Sequence, residues 1–392
     1  MTAETARRFH ALEEQAHEIT AVFAAHNYEP VAPAIIQSAD VFLDVLGESL
    51  RARTYVFTDP DGDELCLRPD LTVPTCRLHV ERHPSGDVRA RYCYNGSAFR
   101  FQPGGGDASH PREFRQAGIE SFAASDREKA EADIVAHTIE ALRAAGLEEF
   151  NLRIGDLGLF NALLAAIGMP ERWRQRLRNN FWRPQAFKEE LYRLTTAPGG
   201  AALGLPKELI DAIVPDDQRK TEQVVDAYLA RNNIELIGAR TLGEMAANLA
   251  SLAKDARATP LPPQEAELIE SYAGVTAPSR AAGARLKDLM RERGIDISDA
   301  LETFQRRLEL LAKAGVEVSR CQFCANFGRS LEYYTGFVFE IESPVLGDGI
   351  AVAGGGRYDG LLKAVGAPYD LPAVGAAIHT ERLLDAVRGT GT

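Results

Sequence analysis

The feature of the sequence that most constrains the fold is a change of pattern that occurs twice along the chain. From about residue 28 to 122, short runs rich in Tyr, Phe, Val and Cys are separated by Pro and Gly, which is typical of strands joined by turns. Residues 157–320 then read almost entirely as helices, and strand patterns return at 331–341 and 350–353. A sheet that is interrupted by about 160 helical residues and then resumed indicates one β-rich domain that carries a helical insertion.

The individual elements within this pattern predict an α+β fold. The first 155 residues contain an amphipathic helix, a hairpin, two longer strands, a second helix and a further strand, which we place at 4–26, 55–67, 91–101, 114–122, 126–145 and 151–154. We therefore expect the first part of a core domain at 1–155, a mainly helical insertion at 156–320 and the second part of the core at 321–392.

Composition and charge argue against several classes of protein. Lys and Arg total 44 against 56 Asp and Glu, so the net charge is −12 and a general nucleic-acid binder is disfavoured. Five cysteines in 392 residues are too few for a disulfide scaffold and fit a reducing compartment. No stretch approaches 18 consecutive apolar residues, and the N-terminus lacks the pattern of a secretory signal. We expect a cytoplasmic protein that contacts neither membrane nor nucleic acid.

Four segments in the strand-rich parts combine charged, aromatic and glycine residues in ways that could carry chemistry. They lie at 67–72, 96–120, 328–336 and 354–382. Taken singly each is weak, because an arginine at a strand end usually forms a surface ion pair and a glycine run usually forms a turn. Cys321 and Cys324 have ligand-like spacing, but a second ligand pair is missing, so we predict no metal site. Buried structural thiols are predicted at Cys66, Cys76 and Cys93.

Together, the four segments resemble the catalytic core of histidyl-tRNA synthetase, a class II aminoacyl-tRNA synthetase. The stretch 99–120 is similar to the family's motif 2, and 375–382 is similar to its motif 3. The stretches 329–335 and 354–359 resemble two segments that are specific to the histidine branch of class II. The resemblance covers most of the chain outside the helical segment, and it implies a six-stranded antiparallel sheet flanked by helices.

The resemblance also implies a pocket for free histidine, built from residues of these motifs. The α-ammonium group of an amino acid needs hydrogen-bond acceptors, and the imidazole ring needs a flat pocket with a polar group at each nitrogen. In the family, the positions of Arg100 and Arg329 pair with the substrate carboxylate and the α-phosphate of ATP. The histidine-binding residues that the resemblance implies are Asp70, Thr72, Arg100, Gln116, Glu120, Arg329, Tyr333, Tyr334 and Tyr358.

The sequence departs from the family at positions that would serve ATP and tRNA. Gln102 stands where the family has a glutamate that reads the adenine amino group, and the loop 103–109 has no basic residue. His379 replaces a glycine beside bound ATP, where an imidazole is expected to obstruct the site. Asp-Leu at 70–71 replaces the family's Glu-Gly beside the amino-acid site. Only ten residues follow Arg382, so we also expect no C-terminal anticodon-binding domain.

These departures favour a regulatory protein over an enzyme. The pattern resembles the regulatory subunits of ATP phosphoribosyltransferase, a synthetase-like family that pairs with a short-form catalytic subunit in histidine biosynthesis. The resemblance implies free histidine as the ligand and a homodimer within a larger hetero-oligomer, with no cofactor and no catalytic residues. Two alternatives stay open, namely a truncated synthetase that still forms histidyl-adenylate and an activating scaffold with a vestigial pocket.

The last expectation concerns the coupling of histidine to the partner. The Gly-rich loop at 103–109 and the glycine run at 354–356 are expected to be mobile segments that border the pocket. We predict that histidine orders one or both of them and so changes the surface that the catalytic subunit meets.

Overall fold

The fold is that of a computed structural model, which describes residues 5–43, 51–85, 87–106, 111–196, 204–234, 241–327, 333–347 and 349–389. Its strands are β1 (Glu29–Pro30), β2 (Ile36–Ser38), β3 (Tyr55–Thr58), β4 (Glu64–Leu67), β5 (Ala90–Phe99), β6 (Glu113–Phe122), β7 (Asn151–Asp156), β8 (Thr276–Pro278), β9 (Cys321–Cys324), β10 (Phe337–Glu342), β11 (Ala351–Arg357) and β12 (Ala373–His379). Its helices are α1 (Ala6–Ala25), α2 (Ala39–Leu43), α3 (Thr72–Arg82), α4 (Arg127–Ala144), α5 (Leu157–Ala166), α6 (Glu171–Asn180), α7 (Pro184–Thr196), α8 (Lys207–Ala212), α9 (Gln218–Arg231), α10 (Leu242–Arg257), α11 (Pro263–Ala273), α12 (Ser279–Glu292), α13 (Ser298–Lys313), α14 (Leu361–Ala364) and α15 (Thr380–Arg388).

One large mixed sheet forms the centre of the fold, with the strand order β1-β5-β6-β12-β11-β10-β7-β9-β8 within the described residues. The six inner strands, from β5 to β7 in this order, pair antiparallel throughout. At the two sides, β1 pairs parallel with β5 and β9 pairs parallel with β7. Helix α1 packs on α4 and α15, and these helices cover β5, β6 and β12. The predicted α+β class, an antiparallel sheet flanked by helices, is confirmed.

Apolar spacing and capping explain the flanking helices. The side chains of Leu12, Ile19 and Phe23, which recur at three- and four-residue multiples along α1, are fully buried. Helix α4 begins after Asp126, whose carboxylate accepts a hydrogen bond from Lys129 N at 3.0 Å. It ends before Gly146, where φ of +93° favours glycine. The helices predicted at 4–26 and 126–145 are confirmed to within two residues where the structure describes them.

The glycine run at 354–356 is not a mobile loop, and that expectation is wrong. These residues lie inside β11, buried and hydrogen-bonded between β10 and β12. Glycine is needed because the neighbouring backbone comes close, so that a Cβ on Gly355 would overlap the carbonyl oxygen of Gly375. The strand predicted from residue 331 begins only at Phe337, and the residues from Tyr333 to Gly336 form a turn instead.

A small second sheet precedes the helix α3. Its strand order is β2-β4-β3, and both pairs are antiparallel. The predicted hairpin is confirmed, with Gly62 at φ of +95° in the turn between β3 and β4. The three thiols predicted to be structural are buried, and all five cysteines are free. The segment 68–71 then leads from β4 to α3 along the edge of the site described below.

Residues Ile167–Ser271 form a compact unit of their own. The unit contains α6 to α10 and most of α11, and its interior holds the fully buried carboxylate of Asp255. That carboxylate accepts hydrogen bonds from three side chains of α6, namely Arg172, Trp173 and Arg176. Helices α5, α12 and α13, which the sequence placed in the same insertion, group with the sheet-bearing unit. Over the described ranges, no helix is long and apolar enough to cross a membrane.

Candidate functional site

On one face of the central sheet, polar side chains pack over glycines of the neighbouring strands. Cross-strand partners share a face, and the register pairs Glu120 of β6 with Gly375 of β12, which in turn pairs with Gly356 of β11. Two residues along, Tyr94 of β5 pairs with Gly118 of β6. A Cβ on Gly118 would lie 2.5 Å from the Tyr94 hydroxyl, and one on Gly375 would overlap the Glu120 carboxylate. The glycines therefore provide the space that the site's side chains occupy.

Glu120 lies at the centre of this face and is fully buried. The Tyr94 hydroxyl donates a hydrogen bond to its Oε1 at 3.0 Å, and the Tyr358 hydroxyl donates to its Oε2. Burial raises the pKa of Glu120 to about 8, although hydrogen bonds from Tyr358, Thr72 and Tyr94 oppose the shift. At neutral pH most of this carboxyl is therefore protonated, until a ligand supplies further donors or positive charge.

The two carboxylate oxygens of Asp70, just before α3, have different surroundings. Its Oδ1 accepts a hydrogen bond from Val73 N at 3.1 Å and so caps the first turn of the helix. Its Oδ2 is buried without a hydrogen-bond partner among the described residues, and the same holds for Oε1 of Gln116. Burial raises the pKa of Asp70, while the Val73 N–H and the charge of Arg100 oppose the shift. Two buried acceptors without donors fit a ligand that brings several N–H groups.

Two arginines hold the segment 68–72, which carries Asp70. Arg68 donates through Nε and Nη1 to backbone carbonyls of two other segments, at 2.7 and 2.5 Å. Arg100 donates through Nε to the carbonyl of Pro69 at 3.0 Å. Both guanidinium groups also oppose the rise in the Asp70 pKa through their charge. The segment is therefore fixed from both sides, which keeps the free carboxylate oxygen in one place.

Three tyrosines form an aromatic wall beside Glu120. The ring centroids of Tyr333 and Tyr334 lie 4.9 Å apart, and those of Tyr333 and Tyr358 lie 5.7 Å apart. Tyr358 is almost fully buried, and the other two pack against the same hydrophobic cluster. The flat faces and hydroxyl groups of such a wall suit a small aromatic ring with polar edges. Arg329, which the resemblance places in the same site, lies outside the described residues.

A buried ionic network anchors the chain next to Tyr358. Arg357 donates to Glu131 of α4 at 2.6 Å and to Asp359 at 2.9 Å. Arg307 of α13 donates to the other oxygen of Glu131 and to Asp156 at the end of β7. Every charge in this group has a partner of opposite sign, as buried charges require. The network therefore fixes the end of β11, from which the Tyr358 side chain reaches Glu120.

Two of the residues at which the sequence departs from the family, Gln102 and His379, contact other side chains of the protein. Arg53 donates to Oε1 of Gln102 at 2.5 Å, and Gln102 in turn donates to a backbone carbonyl at 3.4 Å. The His379 ring lies 5.3 Å from the Phe114 ring, and the Arg100 guanidinium lies 4.9 Å from the same ring. Gln102 and His379 therefore make internal contacts, in addition to differing from the family residues.

The structure brings most of the predicted site residues together. Those on the shared face or bordering it are Asp70, Thr72, Arg100, Gln116, Glu120, Tyr333, Tyr334 and Tyr358. That they bind histidine stays a prediction. Sequence reasoning missed Tyr94, although its alternation with Tyr92 along β5 places both rings on the face of Glu120. It also gave no role to Arg68, because nothing local indicates which carbonyls a guanidinium will reach.

Comparison with known proteins identifies the class to which this fold and site belong. The family model described as histidyl-tRNA synthetase matches residues 4–203 and 220–383. The histidine–tRNA ligase subunit of Alicyclobacillus acidocaldarius aligns with a TM-score of 0.60 at 22% identity, over 99% of this chain and 96% of that one. An antiparallel sheet with these motifs is a class II synthetase-like core, as the predicted fold implied.

Curated relatives narrow this class further. The ATP phosphoribosyltransferase regulatory subunit of Brucella anthropi is 34% identical over 356 residues, covering 91% of this chain and 92% of the relative. That of Chelativorans sp. is 35% identical over 377 residues, covering 95% and 97%. A Bacillus halodurans structure, described as an ATP phosphoribosyltransferase regulatory subunit/histidyl-tRNA synthetase, aligns with a TM-score of 0.68 at 20% identity over 99% of this chain and 82% of that one. The chain belongs to the ATP phosphoribosyltransferase regulatory subunits, a branch of the histidyl-tRNA synthetase family, and the predicted family is confirmed.

Proposed function

We propose that this chain senses free histidine and regulates a short-form catalytic subunit of ATP phosphoribosyltransferase. Its family assigns it a regulatory role in histidine biosynthesis. The observation that carries the proposal is a pair of buried, donor-less acceptors, Asp70 Oδ2 and Gln116 Oε1, on the face that also carries Glu120 and the tyrosine wall. A pocket with free acceptors at one side and a hydrogen-bonding aromatic wall at the other suits an amino acid with a polar ring.

The chemistry of histidine matches this arrangement group by group. Its α-ammonium carries three N–H donors, which can satisfy Asp70 and Gln116 together. Its imidazole presents one donor and one acceptor, which suit the Glu120 carboxyl and a tyrosine hydroxyl. Its carboxylate needs a cation, and Arg100 lies beside the Asp70 segment through its bond to Pro69. Each polar group of the ligand thus has a partner of the right kind.

We infer that the chain does not activate histidine with ATP. Gln102 is engaged with Arg53, and the His379 ring lies against Phe114, so both substitutions are stabilised by contacts within the protein. A nucleotide bound beside Gln102 and His379 would have to compete with these contacts. The alternative of an adenylate-forming enzyme keeps Arg100, Arg329 and Arg382 in its favour. Pyrophosphate exchange with histidine and ATP decides between the two.

We propose a homodimer that buries the outer face of the small sheet. The register places Ile36, Tyr55 and Phe57 on one face of this sheet. Ile36 is 51% exposed and Phe57 38% exposed, and the exposed ring of Phe101 packs edge-on against Tyr55. A contiguous apolar face of this kind is typical of a protein interface. Phe57→Glu should therefore lower the mass measured by sedimentation.

We also place the protein in the cytoplasm, since its five thiols are free.

Calorimetry with L-histidine tests the ligand. Glu120→Ala should abolish binding, because it removes the central group of the site and leaves the buried Tyr358 hydroxyl without its acceptor, at roughly 1–3 kcal/mol, and the Tyr94 hydroxyl with Thr72 alone. Glu113→Ala, at the exposed start of the same strand, is the matched control and should bind as the wild type does. A wild-type chain that binds no histidine would contradict the proposal and favour the vestigial-pocket scaffold.

Co-expression with a short-form catalytic subunit tests the partner. The two chains should co-purify, and the complex should show higher phosphoribosyltransferase activity than the catalytic subunit alone. Added histidine should lower that activity in the wild-type complex but not in the complex that contains Glu120→Ala. Activation without any histidine response through this chain would leave the scaffold alternative, and robust pyrophosphate exchange by the purified chain would establish the enzyme.

A further inference from the structure

Tyr94 lies next to Glu120 on the glycine-bearing face, although the sequence analysis assigned it no role. Its side chain is 2% exposed and lies over Gly118, which has no Cβ to exclude it. Its hydroxyl donates to Glu120 Oε1 at 3.0 Å and lies 3.4 Å from Thr72 Oγ1. Tyr94 thus stands between the side of the pocket with the free acceptors and the side with the tyrosine wall.

The single proton of the Tyr94 hydroxyl determines which group donates in the hydrogen bonds between Thr72, Tyr94 and Glu120. A tyrosine hydroxyl has one proton to donate, and an ionised carboxylate can only accept. When Glu120 is ionised, the Tyr94 proton therefore points to Glu120, and Thr72 donates to the Tyr94 oxygen. The orientation of the Thr72 hydroxyl is then linked to the charge of Glu120 through Tyr94, in addition to the direct hydrogen bond from Thr72 that helps to lower the Glu120 pKa.

We propose that Tyr94 is a positioning residue that holds the Glu120 carboxyl for the ligand and joins the two sides of the pocket. The inference rests on the proposed histidine binding and adds to it how the central acceptor is fixed and kept available in its ionised form. Tyr94 acts through Glu120 and Thr72 and needs no contact with histidine itself.

Among the described residues, several titratable groups interact with Glu120 from the surrounding elements. They are Tyr94 from β5, Asp70 from the turn before α3, Cys76 from α3, Tyr358 after β11 and Tyr28 before β1. Asp70 disfavours the ionised form of Glu120 through its charge, whereas the hydroxyls favour it by donating hydrogen bonds. Loss of the Tyr94 hydroxyl removes one of these donors and so raises the pH at which Glu120 becomes an anionic acceptor.

Tyr94→Phe tests the proposal, because it removes one oxygen atom and leaves the ring over Gly118. Histidine binding is measured by calorimetry at several pH values between 6 and 9, for the wild type and the variant. We expect about 5- to 150-fold weaker binding near pH 7, with the rise of affinity with pH displaced to higher pH in the variant. Tyr92→Phe is the matched control on the same strand and face, since its hydroxyl lies 3.3 Å from His79 Nδ1, and it should leave both quantities unchanged.

A second variant separates positioning from general damage. Gly118→Ala leaves every polar group of the pocket in the sequence but places a Cβ where the Tyr94 ring lies, so it should reproduce the loss and the pH displacement. Wild-type affinity and pH dependence in Tyr94→Phe, or an equal loss at every pH, would overturn the inference while the proposed function stands. A wild-type chain without histidine binding would instead overturn the proposed function, and this inference with it.

Discussion

Glu120→Gln should change how the stability of the protein depends on pH. Burial raises the pKa of the Glu120 carboxyl from an ordinary 4.5 to about 8. Between these values the folded chain holds a proton that the unfolded chain has released. The contribution of Glu120 to the unfolding free energy of the wild type therefore falls as pH rises from about 5 to about 8. Above that pH it changes no further. Glutamine has nearly the same shape and does not titrate, so the variant lacks this fall.

The magnitude follows from the size of the shift. One pKa unit corresponds to about 1.4 kcal/mol of difference between the protonation states. A rise of between three and four units therefore amounts to roughly 5 kcal/mol of unfolding free energy over the window, for a group without solvent exposure to screen it. The unfolding free energy of Glu120→Gln minus that of the wild type should grow by this amount from pH 5 to pH 9.

Urea unfolding of both proteins at a series of pH values measures this difference. The signal should be the near-ultraviolet circular dichroism of the buried tyrosines, because both tryptophans, Trp173 and Trp182, lie in the second compact unit. Glu113→Gln, at the exposed start of β6, is the control and should track the wild type. A difference that does not vary with pH would refute the reasoning, since it would mean that Glu120 is ionised in the folded pocket without a ligand.

Three further predictions concern the sheet, its anchor and the coupling. Gly375→Ala should weaken histidine binding at least about tenfold in calorimetry, since its Cβ overlaps the Glu120 carboxylate, whereas Gly360→Ala, whose Cβ meets open space, should not. Arg307→Met should lower the unfolding free energy by roughly 3–5 kcal/mol, because it leaves the buried Asp156 carboxylate without its arginine and Glu131 with Arg357 alone, while the exposed neighbour Arg306→Met should cost less than about 1 kcal/mol. If histidine binding and partner binding are coupled, the free chain and the complex must differ in their affinity for histidine, as calorimetry can measure. The factor must equal the one by which histidine changes the affinity for the partner, and equal histidine affinities would exclude the coupling.

The parts of the fold that the sequence predicts are those that local patterns determine. Apolar spacing along α1 and the cap at Asp126 act within one or two helical turns, so their helices are legible in the sequence. The run at 354–356 shows the limit of this reasoning. Three glycines in a row predict a turn, but here they form an inner strand because the backbone at Gly375, about twenty residues later, lies against them.

Contacts within the site are even harder to predict from local sequence patterns. Motif resemblance implies Glu120 and Tyr358, yet Tyr94 also donates to Glu120 and contacts Thr72, and only the β5–β6 register brings it there. The network around Arg357 joins residues separated by more than 200 positions along the chain. Long-range pairings of this kind follow from the packing of whole elements, which a single sequence does not reveal.

The layout of the site along β6 separates the position of Glu120 from that of Gln116. Glu120, opposite Gly375, lies four residues from Gln116, opposite His379, and at 3.4 Å per residue the two positions are about 14 Å apart on one strand. Because the sheet fixes this spacing, an imidazole in place of a glycine at 379 changes the surroundings of Phe114 without displacing the Glu120 end. The glycines under Tyr94 and Glu120 leave the space that these two side chains occupy. The fixed spacing of the strands therefore allows a substitution near one of the two positions to leave the geometry of the other unchanged.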